Sequence, residues 1–175
     1  MSFIDTLSEL VPSVQPGPGD QPFSDKLKWT AIVVGLYYLL TISPLYGLQS
    51  SVLEQFQSFA ALLGASFGTL ATLGIGPIVT ASIVLQLLVG AGLFELDRQT
   101  PEGKRRFQSY QKLLTLFFIV FQSVLLVQLG GFTPSPGFPP SILIGQLAIG
   151  GVFIVYMDEI VSKWGFGSGV SLFIA

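Results

Sequence analysis

Two stretches of this chain, residues 55–94 and 113–157, contain no Asp, Glu, Lys or Arg. Each is far longer than the roughly 20 apolar residues that carry a helix across a bilayer. The second divides readily. Residues 130–140 read Gly-Gly-Phe-Thr-Pro-Ser-Pro-Gly-Phe-Pro-Pro, a turn-rich connector, so spans are predicted from about Leu113 to Leu129 and from Ser141 to about Met157. The first has no such connector, only Gly74-Ile75-Gly76-Pro77 near its middle. Glycine weakens a helix interior and proline removes a backbone donor, so a helix breaks or restarts here. A span then runs from Ile75 or Pro77 to Phe94, with Pro77 in the first turn, where its missing N–H costs nothing. Broken backbone at membrane depth is tolerated only inside protein or beside a water-filled cavity. The pattern therefore suggests a pathway through the membrane at this break.

The remaining pattern fills in around it. Residues 1–11 place Phe3, Ile4, Leu7, Leu10 and Val11 opposite Asp5, Ser8 and Glu9. This is the spacing of a short amphipathic helix lying at a membrane surface, with a frayed terminus as the alternative. Residues 12–22, with Pro12, Pro16, Gly17, Pro18, Gly19 and Pro22, read as a linker. A first span runs from Trp29 to about Leu48, with Trp29 and Tyr46 suited to its two interfaces and Pro44 near its far end. Residues 49–71 are too polar at their start to span and too apolar for a solvated loop. A short helix folded back into a cavity fits them, and so does the first half of one long kinked span. Residues 95–112 form a charged loop outside the membrane. Asp158, Glu159 and Lys163 mark the exit of the last full span, where the two carboxylates read as a solvated helix end. Gly165, Gly167 and Gly169 make a tight turn, and a fifth span starts after it. That apolar segment has barely begun at Ala175, so the chain is expected to be part of a larger protein.

Composition narrows the function classes. Half of the residues are hydrophobic and 10% are charged, against about a quarter charged in soluble domains. The chain belongs to the membrane class. It has no Cys and no His, which excludes disulfides, thiol nucleophiles, Cys/His metal sites and histidine proton relays. No basic patch interleaved with aromatics suggests nucleic acid. Residues 1–28 lack the basic start and apolar core of a signal peptide. All eight Lys and Arg, at 26, 28, 98, 104, 105, 106, 112 and 163, fall on one side of the predicted spans, and the other side has none. The positive-inside rule makes that side cytoplasmic, so residues 49–71 enter from outside.

Catalysis would need an activated nucleophile or an acid–base pair near the midplane, and the spans hold no ionisable group but tyrosine. No enzyme activity and no cofactor are expected of this portion. An ion pathway would show intramembrane carboxylates or a charged ring. A secondary transporter with a broken helix at its substrate site stays open as the alternative. The remaining reading is a pore lined by apolar side chains. Ile75 and Val79 share a helix face at the break, where branched aliphatics would form a constriction that seals by dewetting. Ordinary helix packing gives the same spacing. Thr80 and Gln122 are polar residues on neighbouring spans. They would close a helix–helix seam weakly enough to open, or act as static glue.

At these residues the sequence resembles the Sec translocon channel family, archaeal SecY and its eukaryotic alpha-subunit counterpart. The likeness lies in Thr72-Leu-Gly-Ile-Gly-Pro-Ile-Val-Thr80 and its continuation to Gly90, and in Lys26-Leu-Lys-Trp-Thr30. It continues in Phe107-Gln108, Gln111-Lys-Leu-Leu114, Met157-Asp-Glu-Ile-Val-Ser-Lys-Trp-Gly165 and Gly167-Ser-Gly169. The resemblance implies an all-α polytopic membrane bundle, of which this chain is the first half, spans 1–4 and the start of 5, of a ten-span pseudo-symmetric channel. It implies a cytoplasmic segment at 1–22, a channel domain from 23 to 175, and a re-entrant plug helix at about 55–67. The plug carries Phe56, Phe59, Leu62, Leu63 and Ser66, the last standing where many relatives have arginine. It also implies a pore ring at Ile75, Val79, Val170 and Ile174 and a lateral gate including Thr80, Val84, Leu87 and Gln122. The partners implied are a SecE-type (gamma) subunit, a Sec beta-type subunit, the ribosome, signal sequences and nascent polypeptides, and the lipid bilayer. The location implied is the cell membrane, or the endoplasmic reticulum membrane if eukaryotic.

Overall fold

In the computed structural model the described residues are 11–15, 17, 19, 21–49, 68–93 and 100–174. Among them every regular element is a helix. Helix α1 is Phe23–Ile42, α2 is Gly76–Gly90, α3 is Pro101–Gln128, α4 is Pro140–Trp164 and α5 is Gly169–Ile174. By length and composition α3 and α4 suffice to cross a membrane, and α2 is a shorter apolar helix.

Local chemistry sets the helix bounds. Helix α1 lies six residues earlier than the span expected at Trp29–Leu48: Pro22 precedes it in extended backbone, and it ends at Ile42 because the residue before Pro44 is driven out of the helical region. Helix α3 starts well before Leu113, so the segment expected as a charged loop is helical from Pro101 on. The reason is a strong start signal. The Thr100 side chain accepts from the Gly103 amide at 3.1 Å, Pro101 occupies the first turn and Glu102 sits near the positive helix end. The helix thus begins in charged sequence and runs on into the apolar span.

Helix α4 is the centre of the packing. It contacts α1, α3 and α5, and Leu143, Leu147, Ile154 and Val161 on it are almost wholly buried. Two adjacent glycines let neighbours come close. A Cβ on Gly151 would lie 2.9 Å from Ile119 of α3, and one on Gly150 would lie 2.0 Å from the Leu70 carbonyl oxygen. Small residues at helix interfaces permit such approach where lipid gives no hydrophobic drive for association. Polar side chains inside the bundle are satisfied locally: the hydroxyls of Thr115 and Ser123 donate to the carbonyls of Gln111 and Ile119 on their own helix, each at 2.7 Å.

The helix ends gather into two faces. At one, Trp29 packs on Trp164 and Phe23 on Phe166, and Lys112 and Lys163 meet at Glu159. At the other, which carries no charged side chain among the described residues, the chain after α1 pairs with residues 68–70 and 133–135. Leu45 donates to Gly68 at 2.9 Å, Leu70 to Ser43 at 3.0 Å and Ser135 to Gly47 at 2.8 Å. Gln146 of α4 clamps the Tyr46 backbone at both its N–H, at 2.8 Å, and its carbonyl, at 2.9 Å. Among the described residues the basic side chains gather at the first face and none at the second, as predicted from the positions of Lys and Arg.

Candidate functional site

The break lies where Gly and Pro placed it. Residues 68–75 form successive turns, with Thr72 donating to Thr69, Gly74 to Ala71 and Gly76 to Leu73. Gly68 and Gly74 adopt positive φ, +76° and +51°, a conformation that costs glycine little. Ile75 then caps α2, Pro77 falls in its first turn, and the helix continues to Gly90. The stem 68–75 is held from both sides, by its bonds to the end of α1 and by the Leu70 backbone lying on Gly150.

Ile75 and Val79 stand one turn apart, the Val79 amide donating to the Ile75 carbonyl at 3.0 Å. Ile75 packs partly against the buried core, whereas Val79 is exposed. The same split occurs on α5: Val170 packs against that core and Ile174 is exposed. Along α2, Val79, Ile83 and Leu87 recur at helical spacing as an exposed apolar stripe. Ile83 was not singled out from sequence, although the i, i+4, i+8 spacing contained it. Val84, by contrast, is half-buried. The plug residues Phe56, Phe59, Leu62, Leu63 and Ser66 lie outside the described residues.

Thr80 and Gln122 both lie at the α2–α3 seam, but not as a bonded pair. The Thr80 hydroxyl donates back to the Gly76 carbonyl at 2.8 Å. The Gln122 side chain lies beside Gly76, its Oε1 3.6 Å from where a Cβ would stand. The polar link between the two helices is farther along, where Gln111 Nε2 donates to Ser82 Oγ at 2.6 Å. Gln111 falls in the segment expected as a charged loop and Ser82 in the next span back, so a pairing 29 residues apart carries no local signal.

Asp158 and Glu159, just beyond the apolar part of α4, are not a solvated helix end. The Asp158 carboxylate accepts from the Val170 amide at 2.9 Å and so caps α5, the helix bearing Val170 and Ile174. A Cβ on Gly169 would lie 2.6 Å from the Asp158 Cα, so glycine permits this approach. Burial raises the Asp158 pKa, only partly offset by the Val170 and Gly169 amides, and the Glu159 charge pushes it the same way. Glu159 is bound by Lys112 at 2.7 Å and Lys163 at 2.8 Å, with its side chain 14% exposed. Burial alone would raise its pKa, but the hydrogen bonds and charges of the two lysines outweigh burial and hold it below the ordinary range.

The fold and this site define a polytopic helical membrane protein built around a broken helix whose first turns expose branched aliphatics. The SecY family model matches residues 69–175. The chain is 48% identical to the protein translocase subunit SecY of Methanothermobacter thermautotrophicus over 171 residues, covering 98% of this chain and 38% of that protein. A SecY structure described as showing that the plug domain stabilises the closed state and maintains a membrane seal superposes with a TM-score of 0.85. It is 39% identical, over 99% of this chain and 39% of the other. Sec61 from a canine ribosome–channel complex of the endoplasmic reticulum gives a TM-score of 0.82 at 39% identity, over 99% and 40%. The chain therefore belongs to the SecY family. It spans about two fifths of the length of these relatives.

Proposed function

We propose that this chain forms one half of a polypeptide-conducting channel, with the start of α2 at its constriction. The observation that carries the reading is the break at residues 74–77, with Ile75 and Val79 one turn apart where the stem 68–75, which follows residues 55–67 in sequence, joins α2. In this reading that segment is the plug, and Ile75, Val79, Val170 and Ile174 are this half's share of a ring. The exposed stripe of α2, with Thr80 and Gln122 at the seam, is one wall of a lateral gate through which membrane segments leave. Aliphatic walls suit this task because they offer no fixed hydrogen-bond partner, so chains of any sequence slide past, while a narrow apolar ring dewets when empty.

The basic face, with residues 1–22, is cytoplasmic in this reading, and the protein sits in the cell membrane, or in the endoplasmic reticulum if the source is eukaryotic. Its partners in this reading are SecE-type and Sec beta-type subunits, signal sequences and the ribosome, the last supported by the likeness to Sec61 of a canine ribosome–channel complex. Hydrolysis is left to a separate motor or to the ribosome.

The seal gives the test. In the full-length channel with residues 56–66 deleted, so that no plug masks the ring, Ile75→Gly with Val79→Gly widens the constriction. Resting ion conductance across a planar bilayer rises severalfold over the deletion alone. Unchanged conductance removes both residues from the ring.

A further inference from the structure

Residues 12–15 lie across Lys112, near the middle of α3, and the last turns of α4, and side chains of those helices grip them. Lys112 Nζ and the Tyr156 hydroxyl donate to the Pro12 carbonyl at 2.6 and 3.2 Å, Lys163 Nζ donates to the Val14 carbonyl, and Trp164 Nε1 donates to the Gln15 carbonyl at 2.9 Å. Glu159 Oε1 accepts from the Val14 amide at 3.1 Å. All five bonds are made to the main chain of the strap and all five come from side chains of α3 and α4. Beyond them, Gly17 passes over Trp164, where a Cβ would come within 3.2 Å of the ring. The linker reading of residues 12–22 contained none of this, because Pro and Gly announce a turn without naming what binds it.

We propose that Lys112 of α3 and the last turns of α4 form a binding site for an extended polypeptide read through its backbone, and that residues 12–15 are its intramolecular occupant. The chemistry supports this assignment. Main-chain carbonyls are fixed acceptors, and four side-chain donors from two helices are aimed at three of them. The acceptor that a backbone N–H needs is supplied by Glu159, the carboxylate that also holds the two lysines apart and in place. Bonds to charged groups are stronger than neutral ones, so the ion triad makes three of the five grips and the two aromatic donors add orientation. Pro12 has no amide to leave unsatisfied. The occupied site ties the segment before α1 across two helices that follow it by about a hundred residues or more. The site stands independently of the channel reading, since it uses none of the ring or gate residues.

Thiol labelling tests it, and the chain's lack of cysteine gives a clean background. In the full-length protein, Val14→Cys reacts slowly with a maleimide, and Glu159→Ala in the same background speeds the reaction about tenfold by raising the open population of the strap. Tyr156→Phe with Trp164→Phe, which removes two bonds and leaves the triad intact, speeds it a few-fold. Leu147→Cys, wholly buried in α4, stays unlabelled in both backgrounds and reports that the bundle is folded. Should Glu159→Ala expose Leu147→Cys, the aromatic double variant decides alone. The proposal is overturned if Val14→Cys reacts from the outset as fast as Ser24→Cys on the exposed start of α1. It also fails if the aromatic double variant leaves the Val14→Cys rate unchanged.

Discussion

Gly150→Ala lowers the unfolding free energy of the protein in detergent by about 3 kcal/mol, the upper part of the range for overpacking a filled interior. The alanine Cβ would stand 2.0 Å from the Leu70 carbonyl oxygen, 2.9 Å from its carbon and 3.3 Å from its Cα. All three are backbone atoms, so no rotamer change relieves the contact. Either the stem 68–75 lifts or α4 tilts, and α4 is wedged between α1 and α3 with Gly151 against Ile119 on its adjacent face. The stem is the freer of the two, held by the bonds of Leu70 to Ser43 and of Leu45 to Gly68. The loss therefore falls first there, and amide exchange at Leu70 accelerates more than at Ser123, buried in α3. Under the channel reading the stem carries the plug, so the same variant raises resting ion leak. A stability within about 0.5 kcal/mol of the parent, as for an ordinary surface change, shows that the stem is not seated on Gly150.

The second large effect separates two neighbouring carboxylates. Glu159→Gln at neutral pH costs about 3 kcal/mol, the lower end for removing one partner of a buried ion pair, because Lys112 and Lys163 can extend their ammonium groups toward water. Asp158→Asn at neutral pH costs under about 1 kcal/mol, near the net worth of one hydrogen bond, because the amide still accepts from Val170. The pH signs are opposite. The folded-state pKa of Glu159 is lowered, so its contribution is present above the ordinary glutamate range and lost as pH falls through the folded value. That of Asp158 is raised, so its contribution is present below the ordinary aspartate range and lost as pH rises through the folded value. Thermal unfolding against pH shows this directly. The parent weakens on acidification, Glu159→Gln flattens that limb, and Asp158→Asn keeps it. Equal losses from the two variants at neutral pH contradict the assignment of the triad to Glu159 and the cap to Asp158.

These two cases also mark what could be read from the chain. The apolar spans within α3 and α4, the break and the two faces were legible because they depend on local facts: where charges stop, where Gly and Pro fall, which termini carry Lys and Arg. The early start of α3 was equally local, since Thr100-Pro101-Glu102 is a start signal, but the charges of residues 95–112 outweighed it in the reading. Pairings between distant positions were not legible. Gly150 reads as a generic small residue until Leu70, 80 positions earlier, is laid against it. Asp158 and Glu159 read as a helix end in water until Val170, Lys112 and Lys163 are brought to them. Thr80 and Gln122 both lie at the α2–α3 seam without bonding each other, because a threonine hydroxyl in a helix has its own carbonyl one turn back within reach.

The central claim is that a translocating chain passes the start of α2, and a single cysteine at Val79 in the full-length protein tests it most directly. With a secretory polypeptide stalled midway and carrying its own cysteine, mild oxidation gives a disulfide between Val79→Cys and the polypeptide, and none between it and a cysteine at Ile149 on the exposed face of α4. The channel account predicts that crosslink. Chains that continue to translocate while Val79→Cys never forms it, at any stalled length, contradict the account.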